Sequence, residues 1–201
     1  MHIRAPAIVC AARPHGETAV IARFMTAEYG LVVTYVAGGR GRDLRPVLIP
    51  GNLVEAEIRA RSDSRLPFAR PELVQSRGPW LGEPLQASAI VWVTALTAAA
   101  LPDRQPYPAL YQALAALLEA ICVAPSARGW AVALLSYEVL LLRELGYGVQ
   151  VARPDVDDWP ATLTAFGAIG RELARYPLAD RRADVMAARA TLRERLARIS
   201  G

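Results

Sequence analysis

The chain has 201 residues, 53% of them apolar and 21% charged, with a mean hydropathy of +0.21, a composition that supports a sizeable core and excludes disorder as the main state. All 23 basic residues are arginine, so no Walker A loop, Schiff-base lysine or lysine general base is available. Two cysteines (Cys10, Cys122) and two histidines (His2, His15) are too few and too scattered for a tetrahedral zinc site.

Charge is unevenly spread. Residues 1–80 carry 11 arginines against 7 acids and residues 81–201 carry 12 against 12, so the formal net charge of +4 belongs to the first part. That asymmetry suggests a polyanion-facing unit followed by a neutral, protein-facing one. The opening residues contain no apolar leader, which predicts a cytoplasmic chain with reduced thiols.

In chain order, the first 77 residues read as strands. Ala7–Ala12, Thr18–Met25 and Leu31–Ala37 are rich in Val, Ile, Thr and aromatics, and are separated by the turn residues Arg13-Pro14-His15-Gly16 and Glu28-Tyr29-Gly30. Val54, Ala56, Ile58 and Ala60 alternate with Glu55, Glu57, Arg59 and Arg61, the period of a half-buried strand. Phe68–Gln75 is a fifth run, and its internal Pro71 fits an edge or a bulge. Five short antiparallel strands predict an OB-type barrel over residues 1–79, with an SH3-like barrel as the alternative fold.

From Pro84 the period changes to 3.6, predicting an all-helical unit over residues 80–201. The uncharged stretch Leu85–Leu101 contains Gln86, Ser88, Thr94 and Thr97 and spans 17 residues, short of the ~20 apolar residues of a membrane span; it reads as a buried helix. Apolar residues at helical spacing follow in Tyr107–Ile121, Trp130–Leu145 with a stop at Gly146, Trp159–Leu173, and Leu192–Ile199. Gly146–Pro160 reads as a connecting loop.

The loop Gly38-Gly39-Arg40-Gly41-Arg42-Asp43-Leu44-Arg45-Pro46 sets three arginines among glycines. Guanidinium forks match phosphate oxygens and glycines permit close backbone approach, so Arg40, Arg42 and Arg45 are candidate nucleic-acid contacts, with Arg13 and Arg23 extending them. The other reading is a flexible solvated loop. Tyr29, Tyr35 and Phe68 are available for stacking on bases, although core packing is the plainer role of each. His15 beside Glu17 has no neighbouring nucleophile and reads as a turn residue, so no catalytic site and no cofactor are expected. Asp155, Asp157 and Asp158 lack the glycine and terminal Glu of a calcium loop, and Glu138 and Glu144 do not share a helix face. In the last helix Arg182, Arg189 and Arg193 form a basic stripe that reads as a solvated face or an extension of the polyanion surface.

Taken in order, Arg13-Pro14-His15-Gly16-Glu17-Thr18, Phe24-Met25-Thr26-Ala27-Glu28-Tyr29-Gly30, the Gly38–Arg42 loop and the helix Tyr137–Gly148 with its Leu-Gly-Tyr-Gly stop resemble the RecO family of bacterial recombination mediators. The resemblance implies an N-terminal OB-fold, a helical C-terminal domain and no enzymatic activity. It further implies binding of single- and double-stranded DNA, annealing of complementary strands, and cooperation with RecR in helping RecA displace single-strand-binding protein, whose acidic C-terminal tail family members capture in a helical-domain groove. Arg128, Leu134, Tyr137, Leu141 and Arg143 are the tail-contact candidates on this basis. Two features depart from the family: the four-cysteine zinc module found in some members is missing, and Ser136 stands where a basic residue is common. A small RNA-binding barrel protein associated with translation or RNA handling is the alternative function.

Overall fold

A computed structural model describes residues 2–60, 66–179 and 183–199; Arg61 and Arg182 lie outside them. The chain divides into two compact units, one formed by residues 1–82 with 101–111, the other by 83–100 with 112–201. This division differs from the one expected after residue 79 in that residues 101–111 group with the strands.

The first unit is a closed barrel of β1 (His2–His15), β2 (Ala19–Thr26), β3 (Gly30–Val36), β4 (Leu53–Arg59) and β5 (Phe68–Gln75), in the order β1-β2-β3-β5-β4. β1 is long enough to serve two neighbours. Its first half pairs with β4 and its second half with β2, and the register shifts between Val9 and Ala11 where the strand turns from one to the other. Not every pairing is antiparallel: β3 meets β5 in parallel at Tyr35 and Phe68. Inward positions follow the alternation in the sequence, so Val54, Ala56 and Ile58 join Val9, Val20, Ala22, Phe24, Val32 and Val36 in the core. Pro71 sits opposite Ala56 in β5, where contact with β3 has already ended at Phe68, so its missing N–H leaves no gap in a second ladder.

β3 has a second neighbour at its other end. Leu31 bridges Asp103, and the Arg104 amide donates to the Leu31 carbonyl at 2.8 Å, so the segment 101–111 covers an edge that β5 leaves open. The approach requires Gly30: its φ is +67°, and a Cβ there would lie 1.9 Å from the Gln105 carbonyl oxygen.

The second unit contains α1 (Pro84–Ala100), α2 (Pro108–Val123, whose first turn belongs to the barrel unit), α3 (Arg128–Glu144), α4 (Trp159–Arg175) and α5 (Ala183–Ala197). Buried polar groups of α1 are satisfied locally, with the Thr94 and Thr97 hydroxyls donating to the Ile90 and Val93 carbonyls at 2.7 Å. α3 ends as its sequence dictates. Gly146 takes φ +85°, its amide donates to Arg143 O and the Tyr147 amide to Leu142 O, the paired bonds of a glycine-terminated helix. Asp158 caps α4 by accepting from the Ala161 amide at 2.9 Å, which gives one of the three loop aspartates a structural task. No described helix is long and apolar enough to cross a membrane, and no cluster of metal-ligating side chains occurs among the described residues.

Of the basic stripe expected in the last helix, the two described arginines do not share a solvent face. Arg189 is 4% exposed and bonded to the buried Glu138, whereas Arg193 faces solvent.

Candidate nucleic-acid interface

The segment between β3 and β4, residues 37–52, carries the three loop arginines and is tightly ordered rather than loose. The Arg40 amide donates to Thr18 O at 2.9 Å, the Arg45 amide to Gly41 O at 3.0 Å and the Leu48 amide to Leu44 O at 3.0 Å. Gly39 is buried, and a Cβ on it would meet Val20 at 2.8 Å, so this residue must be glycine for the loop to close over β2. The far side is held by Asn52. Its amide nitrogen donates to Pro46 O and Val47 O at 2.9 and 3.0 Å, and its Oδ1 accepts from the Arg77 amide at 2.7 Å, so a fully buried side chain ties the loop to the end of β5. Sequence reasoning missed Asn52; its position between Gly51 and the first strand residue reads only as turn chemistry.

Arg40, Arg42 and Arg45 are exposed and line one concavity of about 640 Å³, floored by Pro46 and Ile49. Arg40 also donates to Gly16 O at 3.0 Å, which brings the loop against the β1–β2 turn. The acceptor is a neutral carbonyl, so the guanidinium keeps its charge for an anion. Three like charges on a preformed wall suit an extended run of phosphates, because ordering has already been completed in the free protein.

The other candidates divide. Arg13 is exposed on β1, in register with Ile21 of β2. Arg23 does not line that concavity and binds Asp103 at 3.0 Å. Tyr35 and Phe68 come together on the outer barrel surface with ring centroids 5.2 Å apart, and His15 packs edge-on against Tyr35 at 6.0 Å, a contact the sequence did not reveal. Tyr29 lies in the β2–β3 turn, where its amide donates to Thr26 Oγ1. By contrast, the outer face shared by β1 and β4 is charge-compensated. Arg4 meets Glu55, and hydrogen bonds from Arg59 and then His2 hold the Glu57 carboxyl below the usual carboxylate range.

In the helical unit three of the five tail-contact candidates are inaccessible. Leu134, Tyr137 and Leu141 are 2% exposed or less, and the Tyr137 hydroxyl bonds to Thr97 Oγ1 at 2.5 Å inside the core. The reason is that α3 is apolar on several faces, so spacing alone cannot say which face is covered. Arg128 lies over the Trp159 ring at 5.3 Å. Arg143 is exposed and lines a groove of about 340 Å³ with Ser136, Val139 and Leu140 of α3 and Val151, Arg153 and Pro154 of the following loop.

Comparison with known proteins bears on both units. The family Recombination protein O N terminal matches residues 1–77, and Recombination protein O C terminal matches residues 82–154. The chain is similar to the DNA repair protein RecO of Rhodospirillum centenum, 41% identical over 144 residues that cover 71% of this chain and 56% of that protein. It is similar to that of Phenylobacterium zucineum, 37% identical over 155 residues covering 76% and 62%, and to that of Gluconacetobacter diazotrophicus, 34% identical over 155 residues covering 76% and 61%. The chain thus spans less than two thirds of the length of these relatives. Two family patterns in order along the sequence, together with three relatives above 30% identity, show that the chain belongs to the RecO family.

Proposed function

We propose that this protein is a recombination mediator in DNA repair that acts by binding rather than by turnover, gripping DNA phosphates with the barrel and a protein partner with the helices. The observation that carries the reading is the ordered loop presenting Arg40, Arg42 and Arg45 around one concavity. The strand order, the shared β1 and the parallel β3–β5 closure support reading the barrel as an OB-fold, an architecture that commonly holds nucleic acid. Single- and double-stranded DNA share the phosphate chemistry these arginines fit. Two complementary strands concentrated on one basic surface repel each other less, and annealing follows from that neutralisation.

For the partner side, the groove beside Arg143 replaces the buried candidates. An apolar floor from Val139 and Leu140, flanked by the guanidinium-bearing Arg143 and Arg153, suits an acidic peptide with a hydrophobic end, the chemistry of the tail of single-strand-binding protein. Within this reading RecR is a second partner, RecA is assisted indirectly, and the work takes place on cytoplasmic, nucleoid DNA.

The test is fluorescence-polarisation titration of a labelled single strand against wild type and the triple variant Arg40→Ala/Arg42→Ala/Arg45→Ala across a salt series. With these three and Arg13 on phosphates, log affinity falls against log salt with a slope of about −3, and the variant retains a slope of about −1. A slope near zero for wild type would remove the mechanism.

A further inference from the structure

We propose that His15, Tyr35 and Phe68 form a base-stacking platform on the outside of the barrel that makes the protein favour unpaired over paired DNA; this rests on the barrel being the DNA-binding surface. Residues in register across a sheet share a face. The register here runs Arg13, Ile21, Tyr35, Phe68, Arg59 across all five strands. Their chain neighbours Val20, Ala22, Thr34, Val36, Ala69 and Ile58 are buried, so the row points outward. Phe68 is 54% exposed, which core packing does not explain.

The rings are arranged to receive further rings. Tyr35 and Phe68 meet at an interplanar angle of 68° and His15 and Tyr35 at 85°. Two edge-to-face contacts cover at most two of the six ring faces, and with His15 and Phe68 exposed and Tyr35 half-buried, ring surface remains for π-stacking partners.

Cations sit where phosphates of a stacked strand would run. Arg40 is bonded to the carbonyl of Gly16, next to His15, and Arg13 occupies the platform's own row. Arg59, at the other end, is held by Glu57 and takes no such part. Bases in a duplex already bury their faces against each other, so only unpaired bases can use the rings. Every base has a π-face, so the platform tolerates any sequence. Arg13 in the row and Arg40 beside His15 distinguish this surface from an apolar protein-docking patch, which would lack a reason for them.

The experiment compares binding of an oligothymidylate with binding of an abasic strand of equal length, and so of equal phosphate number, at one ionic strength. Wild type binds the oligothymidylate roughly tenfold more tightly. Phe68→Ala, Phe68→Leu and Tyr35→Leu, each checked for wild-type thermal unfolding, bring that ratio towards one while leaving abasic affinity and the salt slope unchanged. Equal binding of both strands by wild type overturns the platform and leaves the phosphate reading intact. So does a Phe68→Leu protein with the full ratio, which would mark the site as merely apolar, or a Phe68→Ala protein that weakens both strands alike. Binding of neither strand removes the phosphate reading and the platform with it.

Discussion

Glu138 of α3 and Arg189 of α5, 51 positions apart, form a two-point ion pair inside the helical unit, with Arg189 Nε donating to Glu138 Oε1 at 3.0 Å and a terminal nitrogen donating to Oε2 at 2.8 Å. The remaining capacity is also used. Trp92 Nε1 donates to Glu138 at 2.7 Å, Arg189 donates to Phe166 O at 2.7 Å, and the guanidinium lies 3.7 Å from the centre of the Phe166 ring. One network therefore ties α1, α3, α4 and α5 together, and α4 makes room for it with Gly170, where a Cβ would stand 2.1 Å from an Arg189 nitrogen.

Breaking this pair from one side leaves the other charge buried and alone. Glu138→Leu and Arg189→Met are each expected to cost about 3–5 kcal/mol in urea unfolding of the helical unit, while the double variant costs less than the sum by at least about 2 kcal/mol. Gly170→Ala displaces the guanidinium and is expected to fall near the single variants. Three of the chain's four tryptophans, Trp92, Trp130 and Trp159, belong to this unit, so indole fluorescence follows its unfolding. Additive single costs would show that the two side chains act independently.

Asn52 gives a prediction about the DNA loop that removes no arginine. Asn52→Ala strips two carbonyls of their donor and one amide of its acceptor at a fully buried position, with an expected cost of about 2–3 kcal/mol. Because the guanidiniums remain, the salt slope of single-strand binding stays at its wild-type value while affinity drops at every salt concentration. Asn52→Asp keeps the acceptor for Arg77 but turns an oxygen toward two carbonyls, so it is no better than alanine. Unchanged affinity in a folded Asn52→Ala protein would show that the loop needs no preordering.

These residues also mark how much the sequence could tell. The strand at 53–59 was legible because alternation has one solution when one face is buried, and the α3 stop because only glycine adopts φ +85° freely. The grouping of Arg40, Arg42 and Arg45 was legible because they are close in sequence. What failed was anything set by distant neighbours. Arg189 looks like a surface arginine until Glu138 is found opposite it, and Tyr137 and Leu141 look like groove residues on a helix whose other apolar face carries Val139 and Leu140. Likewise the segment 101–111 sits between helical sequences yet bonds to Leu31, because β3 has an edge to cover.

Cys10 sits where the β1 register shifts, buried, with its thiol donating to Ile8 O at 3.6 Å. Burial pushes the thiol from its ordinary 9.0 to about 12, outweighing the Met25 backbone hydrogen bond and the positive Arg23, which both act in the opposite direction. The folded state therefore holds this proton more tightly than the unfolded chain does. Its stabilising contribution is complete below pH 9 and is lost as pH rises from 9 to about 12, at about 1.4 kcal/mol per pH unit. Urea unfolding of wild type and Cys10→Ala between about pH 8 and about pH 11 separates this loss from the titration of tyrosines, which both proteins share. The wild-type curve is expected to descend towards that of the variant as pH rises, and native Cys10 to react with a thiol reagent only as fast as the barrel opens. Parallel curves would mean that the thiol ionises freely in the folded barrel, and the bulge would then have to be open to water.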